Sequence, residues 1–188
     1  FAAARALRPL PPAAWVSGSS SPAMRLLTAA ATPCGRTPGL LCTELAVPLD
    51  RSGATPGTVT LHVETLPAFG AQRGAMFLIA GGPGQGSAGS FDLGTPANAE
   101  YYRLLFPGYT LVAFDNRGTG KAGLLRCPGL QGFYTFEQQT ALATACAQAL
   151  GPQRVFYGTD EHAEDIESVR QLLGVDKEMI DRHGAVSR

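Results

Sequence analysis

The sequence predicts an α/β fold in which an antiparallel pair of strands opens the sheet, parallel strands continue it, and helices flank it. Three observations point there. Thr58–Leu66 alternates apolar and polar residues with period two, as a half-buried strand does. Residues 75–80 are a continuous apolar run, as expected of a strand covered on both faces, and Tyr109–Phe114 gives a second buried strand. Helical stripes follow it, and strands alternating with helices imply a mostly parallel sheet.

The elements follow in order. Residues 43–50 carry a short strand signal whose Pro48 marks an edge, because proline donates nothing to a ladder. Residues 51–57, with Ser52, Gly53, Pro56 and Gly57, read as a turn. Val59, Leu61 and Val63 would then share one face of the next strand, pairing antiparallel with the first. The two apolar strands each end in a glycine-rich loop, residues 81–89 and 115–120. In a first helix Leu142, Cys146 and Leu150 recur every four residues, and Gly151-Pro152 stops it. In a second, Thr159 or Asp160 caps the start, Ile166, Val169, Leu172 and Leu173 form the stripe, and Gly174 ends it.

The 188 residues are 45% hydrophobic and 16% charged, enough for one domain with a core and unlike a disordered chain. Lys+Arg and Asp+Glu balance at 15 each, so nothing in the charge calls for nucleic acid. No stretch is long enough for a membrane helix. Residues 1–33 read as a flexible Ala/Pro-rich leader, within which residues 24–31 faintly resemble a secretion signal too short to be a good one. The four cysteines, Cys34, Cys42, Cys127 and Cys146, allow three pairings. Pairing sequence neighbours closes the shortest loops, at about 3 kcal/mol each, and two bridges would place the chain outside the cytosol. The alternative is four buried thiols. No zinc site is expected: there is no C-x-x-C, and His62, His162 and His183 lack ligand spacing. His62 and His162 read as surface or packing residues.

The loop Gly81-Gly82-Pro83-Gly84 is the candidate for chemistry. Glycines at a strand end let bare N–H groups approach a ligand closely, and such groups stabilise an oxyanion. The alternative is a tight structural turn. A rival lies in Gly84-Gln85-Gly86-Ser87-Ala88-Gly89, which fits G-x-G-x-x-G, with Asp115 ending the next strand. Against a dinucleotide stand Pro83 and the displaced first glycine, the loop-like residues 90–94, and the antiparallel pair before this strand. No cofactor is expected. Gly118-Thr119-Gly120-Lys121 hints at a phosphate loop, but Ala122 sits where the Ser or Thr should be and the upstream glycine is missing.

Gly81-Gly82-Pro83-Gly84 resembles the G-G-P-G oxyanion loop of the proline iminopeptidase and tripeptidyl aminopeptidase family. Asp115-Asn116-Arg117-Gly118-Thr119-Gly120 resembles that family's D-x-R-G-x-G turn, and residues 157–159 with 165–174 resemble the helix before its nucleophile strand. The likeness covers residues 34–177. It implies an α/β-hydrolase sheet, here incomplete, with Gly81 or Gly82 lending an N–H to the oxyanion hole and Pro83 and Gly84 shaping the substrate loop. It also implies structural roles for Asp115 and Arg117, and the cysteine pairs resemble the exported branch. Ala80 departs from the histidine of many members.

A hydrolase of this kind needs a serine on a G-x-S-x-G turn, then an acid and a histidine. Ser87 lies in the oxyanion loop itself, and residues 178–188 read as a diverged tail. The expectation is therefore the N-terminal part, residues 34–177, of a secreted serine hydrolase. The complete enzyme would release residues from peptide N-termini or cleave small acyl substrates. This chain would be inactive alone. A non-catalytic interaction protein, self-associating through its incomplete sheet, is the alternative, ahead of a dinucleotide module.

Overall fold

A computed structural model describes residues 31–81, 84–127 and 135–175. Five strands form one mixed sheet in the order β1-β2-β3-β5-β4. They are β1 (Thr32–Pro33), β2 (Leu41–Pro48), β3 (Thr58–Leu66), β4 (Gly74–Leu78) and β5 (Tyr109–Phe114). The helices are α1 (Ser87–Phe91), α2 (Pro96–Leu105), α3 (Phe136–Leu150) and α4 (Thr159–Leu173), with a 3-10 turn at Pro152–Tyr157.

β2 and β3 form the expected antiparallel pair, from Leu41 opposite Thr65 to Pro48 opposite Thr58. β1, which carries no pattern of its own, pairs only with Leu41 and Cys42. Beyond Cys42, β2 is therefore an edge among the described strands, and Pro48 sits where no ladder donor is required. β3 runs antiparallel to β5, and β4 runs parallel to it, with Gly74 opposite Tyr109 and Leu78 opposite Ala113. The parallel β4–β5 step needs a crossover, and α1 and α2 supply it.

Period-two alternation divides the core between two sheet faces. Val59, Leu61, Val63, Ala75, Val112 and Phe114 pack on one face against Val169 and Leu173 of α4. Leu66, Leu78, Leu111 and Ala113 pack on the other with Leu40, Leu93 and Ala99 of α2. β5 is buried at all six positions, as a strand covered on both faces should be, its one aliphatic hydroxyl, Thr110, accepting from Ala68 and Gln72.

The helix ends differ in detail from the sequence reading. α4 starts after Gly158, which offers no side-chain cap; Thr159 is already helical, and Asp160 and Glu161 occupy the first turn, where negative charge is favourable. Gly174 closes it in the left-handed conformation at φ 62°. α3 is held at its start by a reciprocal capping box between Thr135 and Gln138. The cysteines pair as sequence neighbours. Cys34–Cys42 clasps the β1–β2 hairpin, with Cα atoms 5.8 Å apart, and Cys127–Cys146 ties the segment after β5 to α3. Among the described residues, no helix is long and apolar enough to cross a membrane.

Candidate functional site

Because β4 and β5 are parallel and in register, the loops after them leave the sheet at the same end. Ligands of open α/β sheets bind outside the carboxyl ends of such strands. Gly81 is exposed there, and a Cβ added to it would meet nothing within 4 Å. Gly84 holds φ +90°, a conformation L side chains rarely adopt. Gly82 and Pro83 lie outside the described residues.

The far side of this loop is pinned. The Ala80 N–H donates to Ser87 Oγ at 3.0 Å, and Ser87 is fully buried. Its hydroxyl closes the loop on itself and is not presented to a substrate. Gly86 is obligatory for another reason: a Cβ there would stand 2.6 Å from Asp115 Oδ1 and 2.8 Å from Gly120 Cα.

Asp115 joins the two loops. Its side chain is 1% exposed; Oδ1 accepts the Ala88 N–H at 2.9 Å, and Oδ2 accepts the Lys121 N–H at 2.8 Å. The carboxylate thus satisfies a first-turn N–H of α1 and one from the turn after β5. This bears on the dinucleotide reading. α1 starts inside the G-x-G-x-x-G run, where the sequence reads as loop. But the carboxylate already fills the start of that helix, and its negative charge opposes a pyrophosphate.

Arg117 ties the second loop to the rest of the molecule. It is 1% exposed and makes a two-pronged contact with Asp165, Nε to Oδ2 and Nη2 to Oδ1, each at 2.7 Å. Nη1 donates to the Leu49 and Phe156 carbonyls at 2.9 and 2.8 Å, and Nη2 to Pro48 O at 3.2 Å. Burial works against its charge, but hydrogen bonding and attraction to Asp165 outweigh it and hold the pKa above the ordinary arginine value. Arg51 reaches the same Asp165 carboxylate at 2.5 Å. Beside this network His162 is half-buried, and burial, the largest influence on it, lowers its pKa.

Sequence reasoning missed Arg51 and Asp165, whose partners lie far along the chain. A signal existed: Asp165 is an acid on the apolar side of α4, one turn before Val169. His62 also departs from expectation, since it is neither a surface nor an apolar packing residue. It is 5% exposed, with Nδ1 2.6 Å from Glu44 Oε1, and Nε2 3.3 Å from Glu64 Oε1 and 3.0 Å from Lys121 Nζ. The hydrogen bond to Glu64, opposed by burial and aided by Glu44, raises its pKa.

A shallow groove of about 190 Å³, lined by Ala68, Phe69, Arg103, Phe106 and Tyr109, lies at the amino end of β5. It is on the wrong side of the sheet for the two loops and below the roughly 300 Å³ at which ligand pockets begin.

The described arrangement offers an open glycine backbone at a parallel strand end, braced by the buried Ser87 hydroxyl and the buried Asp115 carboxylate. No protein-family model matches the chain. It is 29% identical over 163 residues to a protein described as "Putative hydrolase YuaR" from Escherichia coli (strain K12). The aligned part is 76% of this chain but 30% of that protein, so the chain spans under a third of its relative's length. What the comparison gives is a distant likeness to a hydrolase, on a mixed sheet of five strands with flanking helices.

Proposed function

We propose that residues 81–84 form the oxyanion side of a serine-hydrolase site, and that the nucleophile comes from sequence outside these 188 residues. The observation that carries this reading is the position of Gly81: exposed, unobstructed and at the carboxyl end of β4, with its loop braced through Ser87 and Asp115. Backbone N–H groups held there need not reorganise when negative charge develops, which is what makes an oxyanion hole effective. The hydrolase relative and its greater length support the same division of labour.

The reaction class is acyl transfer. A serine adds to a carbonyl carbon, the oxygen takes up negative charge, and the Gly81 or Gly82 N–H donates to it. The G-G-P-G motif makes peptide N-termini the favoured substrate, with small acyl esters as the simpler probe. The two disulfides support an exported, extracytoplasmic enzyme.

The test compares two proteins. The purified chain is expected to give no turnover of aminoacyl or acyl chromogenic substrates. A longer protein, continued through a G-x-S-x-G segment with a later acid and histidine, is expected to turn them over and to be silenced by a serine-directed phosphonate. Phosphonate-sensitive hydrolysis by the 188 residues alone would overturn the proposal.

A further inference from the structure

On the sheet face opposite α4, strands β2 and β3 bring four chemistry-bearing residues together by register. Cys42 stands opposite Glu64, and Glu44 opposite His62. Cys42 Sγ lies 3.8 Å from His62 Nε2, and His62 Nε2 lies 3.3 Å from Glu64 Oε1. One ligand atom from each of Cys42, His62 and Glu64 falls within 4.8 Å of the others. Cys34 is bonded to Cys42 but is not one of that group.

The S···N and N···O separations are close to those of a zinc coordination sphere. With Zn–S about 2.3 Å and Zn–N and Zn–O about 2.0 Å, tetrahedral angles put S···N at about 3.5 Å and N···O at about 3.3 Å. The surroundings fit as well. A ligating histidine normally donates its other ring N–H to a carboxylate, and Nδ1 faces Glu44 Oε1 at 2.6 Å. Glu64 is 7% exposed, and its Oε2 is buried without a hydrogen-bond partner, so the site holds uncompensated acceptor capacity. The cation now facing this cluster is Lys121, 3.0 Å from His62 Nε2 and 3.6 Å from Glu64 Oε1. Its side chain is 64% exposed and free to swing into solvent.

We infer that Cys42, His62 and Glu64 form a thiol-gated site for a zinc-class divalent cation, closed by the Cys34–Cys42 disulfide and opened by its reduction, with the fourth position left to water. A dithiol reductant supplies two electrons and two protons and is itself oxidised to a disulfide, or a phosphine supplies the two electrons and becomes its oxide while water gives the oxygen and both protons; the S–S bond breaks, and two thiols form. Binding the cation then displaces the Cys42 thiol proton to solvent and moves Lys121 aside. Oxidation by a thiol oxidant reverses the sequence and releases the metal. Spacing along the chain hides this site, because the ligands converge through strand register.

The experiment uses the full chain carrying Cys127→Ser and Cys146→Ser, so that a single cysteine pair remains, with the wild-type chain in parallel. After phosphine reduction and anaerobic desalting, one cobalt per chain is expected, with thiolate-to-cobalt charge transfer and tetrahedral d–d bands. Zinc should displace the cobalt stoichiometrically and raise the melting temperature of the reduced wild-type chain. The oxidised chain should hold neither metal. Glu44→Gln should weaken zinc binding about 10–100-fold, the range for a partner of a ligating histidine. Lys121→Ala should tighten it. Thiolate bands that never appear in the reduced chain, or zinc held equally well after His62→Ala and Glu64→Gln, would overturn the site. So would a reduced wild-type chain whose melting zinc leaves unchanged.

Discussion

Arg117 and Asp165 hold this molecule together at the residue scale. An arginine buried to 1% with five hydrogen bonds cannot be replaced by a lysine, whose point charge lacks the planar fork. Arg117→Ala leaves the Asp165 carboxylate buried with Arg51 as its remaining close cation, and should cost about 3–5 kcal/mol in urea unfolding. Arg117→Lys should recover only part of that loss. Asp115→Ala orphans the N–H groups of Ala88 and Lys121 and should cost about 2–4 kcal/mol. His162 gives a pH signature. Its folded-state pKa lies below the ordinary value of 6.5, so its contribution is present above 6.5 and is lost as pH falls through the lowered value. His162→Gln should therefore flatten the acid side of the stability profile, read as the difference from wild type at each pH.

At the scale of elements, Gly86 and Ser87 decide whether the loop after β4 keeps its shape. Gly86→Ala must push against Gly120 backbone as well as Asp115, and should destabilise by about 1–3 kcal/mol. Ser87→Ala removes one hydrogen bond, at about 1 kcal/mol, and in a longer, active protein should leave a phosphonate-reactive serine in place. If Ser87→Ala abolished phosphonate labelling, the nucleophile would lie in this loop after all. Much at this scale was legible. The alternation of β3, the apolar runs of β4 and β5 and the stripe of α4 each report directly on which face is buried. α2 was missed although Thr95-Pro96 places proline at a helix start, because three glycines in residues 84–89 and Gly94 make the region read as loop. The network of Arg51, Arg117 and Asp165 was illegible for a different reason. Its members are up to 114 residues apart, and no local pattern encodes which distant charge will meet another.

At the scale of the whole molecule, β4 ends the described sheet with β5 as its partner there, which leaves a parallel strand edge of the kind another strand can extend. α2, which packs against β5, exposes Tyr101, Leu104 and Leu105, and Ile79, just after β4, is 40% exposed. The 188-residue chain is expected to self-associate in sedimentation runs, and Leu104→Glu with Leu105→Glu should lower the associated fraction without changing the fold's circular dichroism. An unchanged, wholly monomeric chain would mean that this face needs no cover. The position of the candidate loop at a strand's carboxyl end followed from sequence order alone; which N–H groups point into the site did not, since backbone direction in a glycine run is set by its ties.

In the proposed reaction negative charge is received at the Gly81 or Gly82 N–H. The most direct measurement is a crystal structure of a longer, active form of this protein after reaction with a serine-directed phosphonate. The expected result is a phosphonate oxygen about 2.7–3.1 Å from the Gly81 or Gly82 nitrogen, the distance of an oxyanion-hole donor. An adduct whose oxygen is bound by other groups, with residues 81–84 turned away from it, would contradict the assignment.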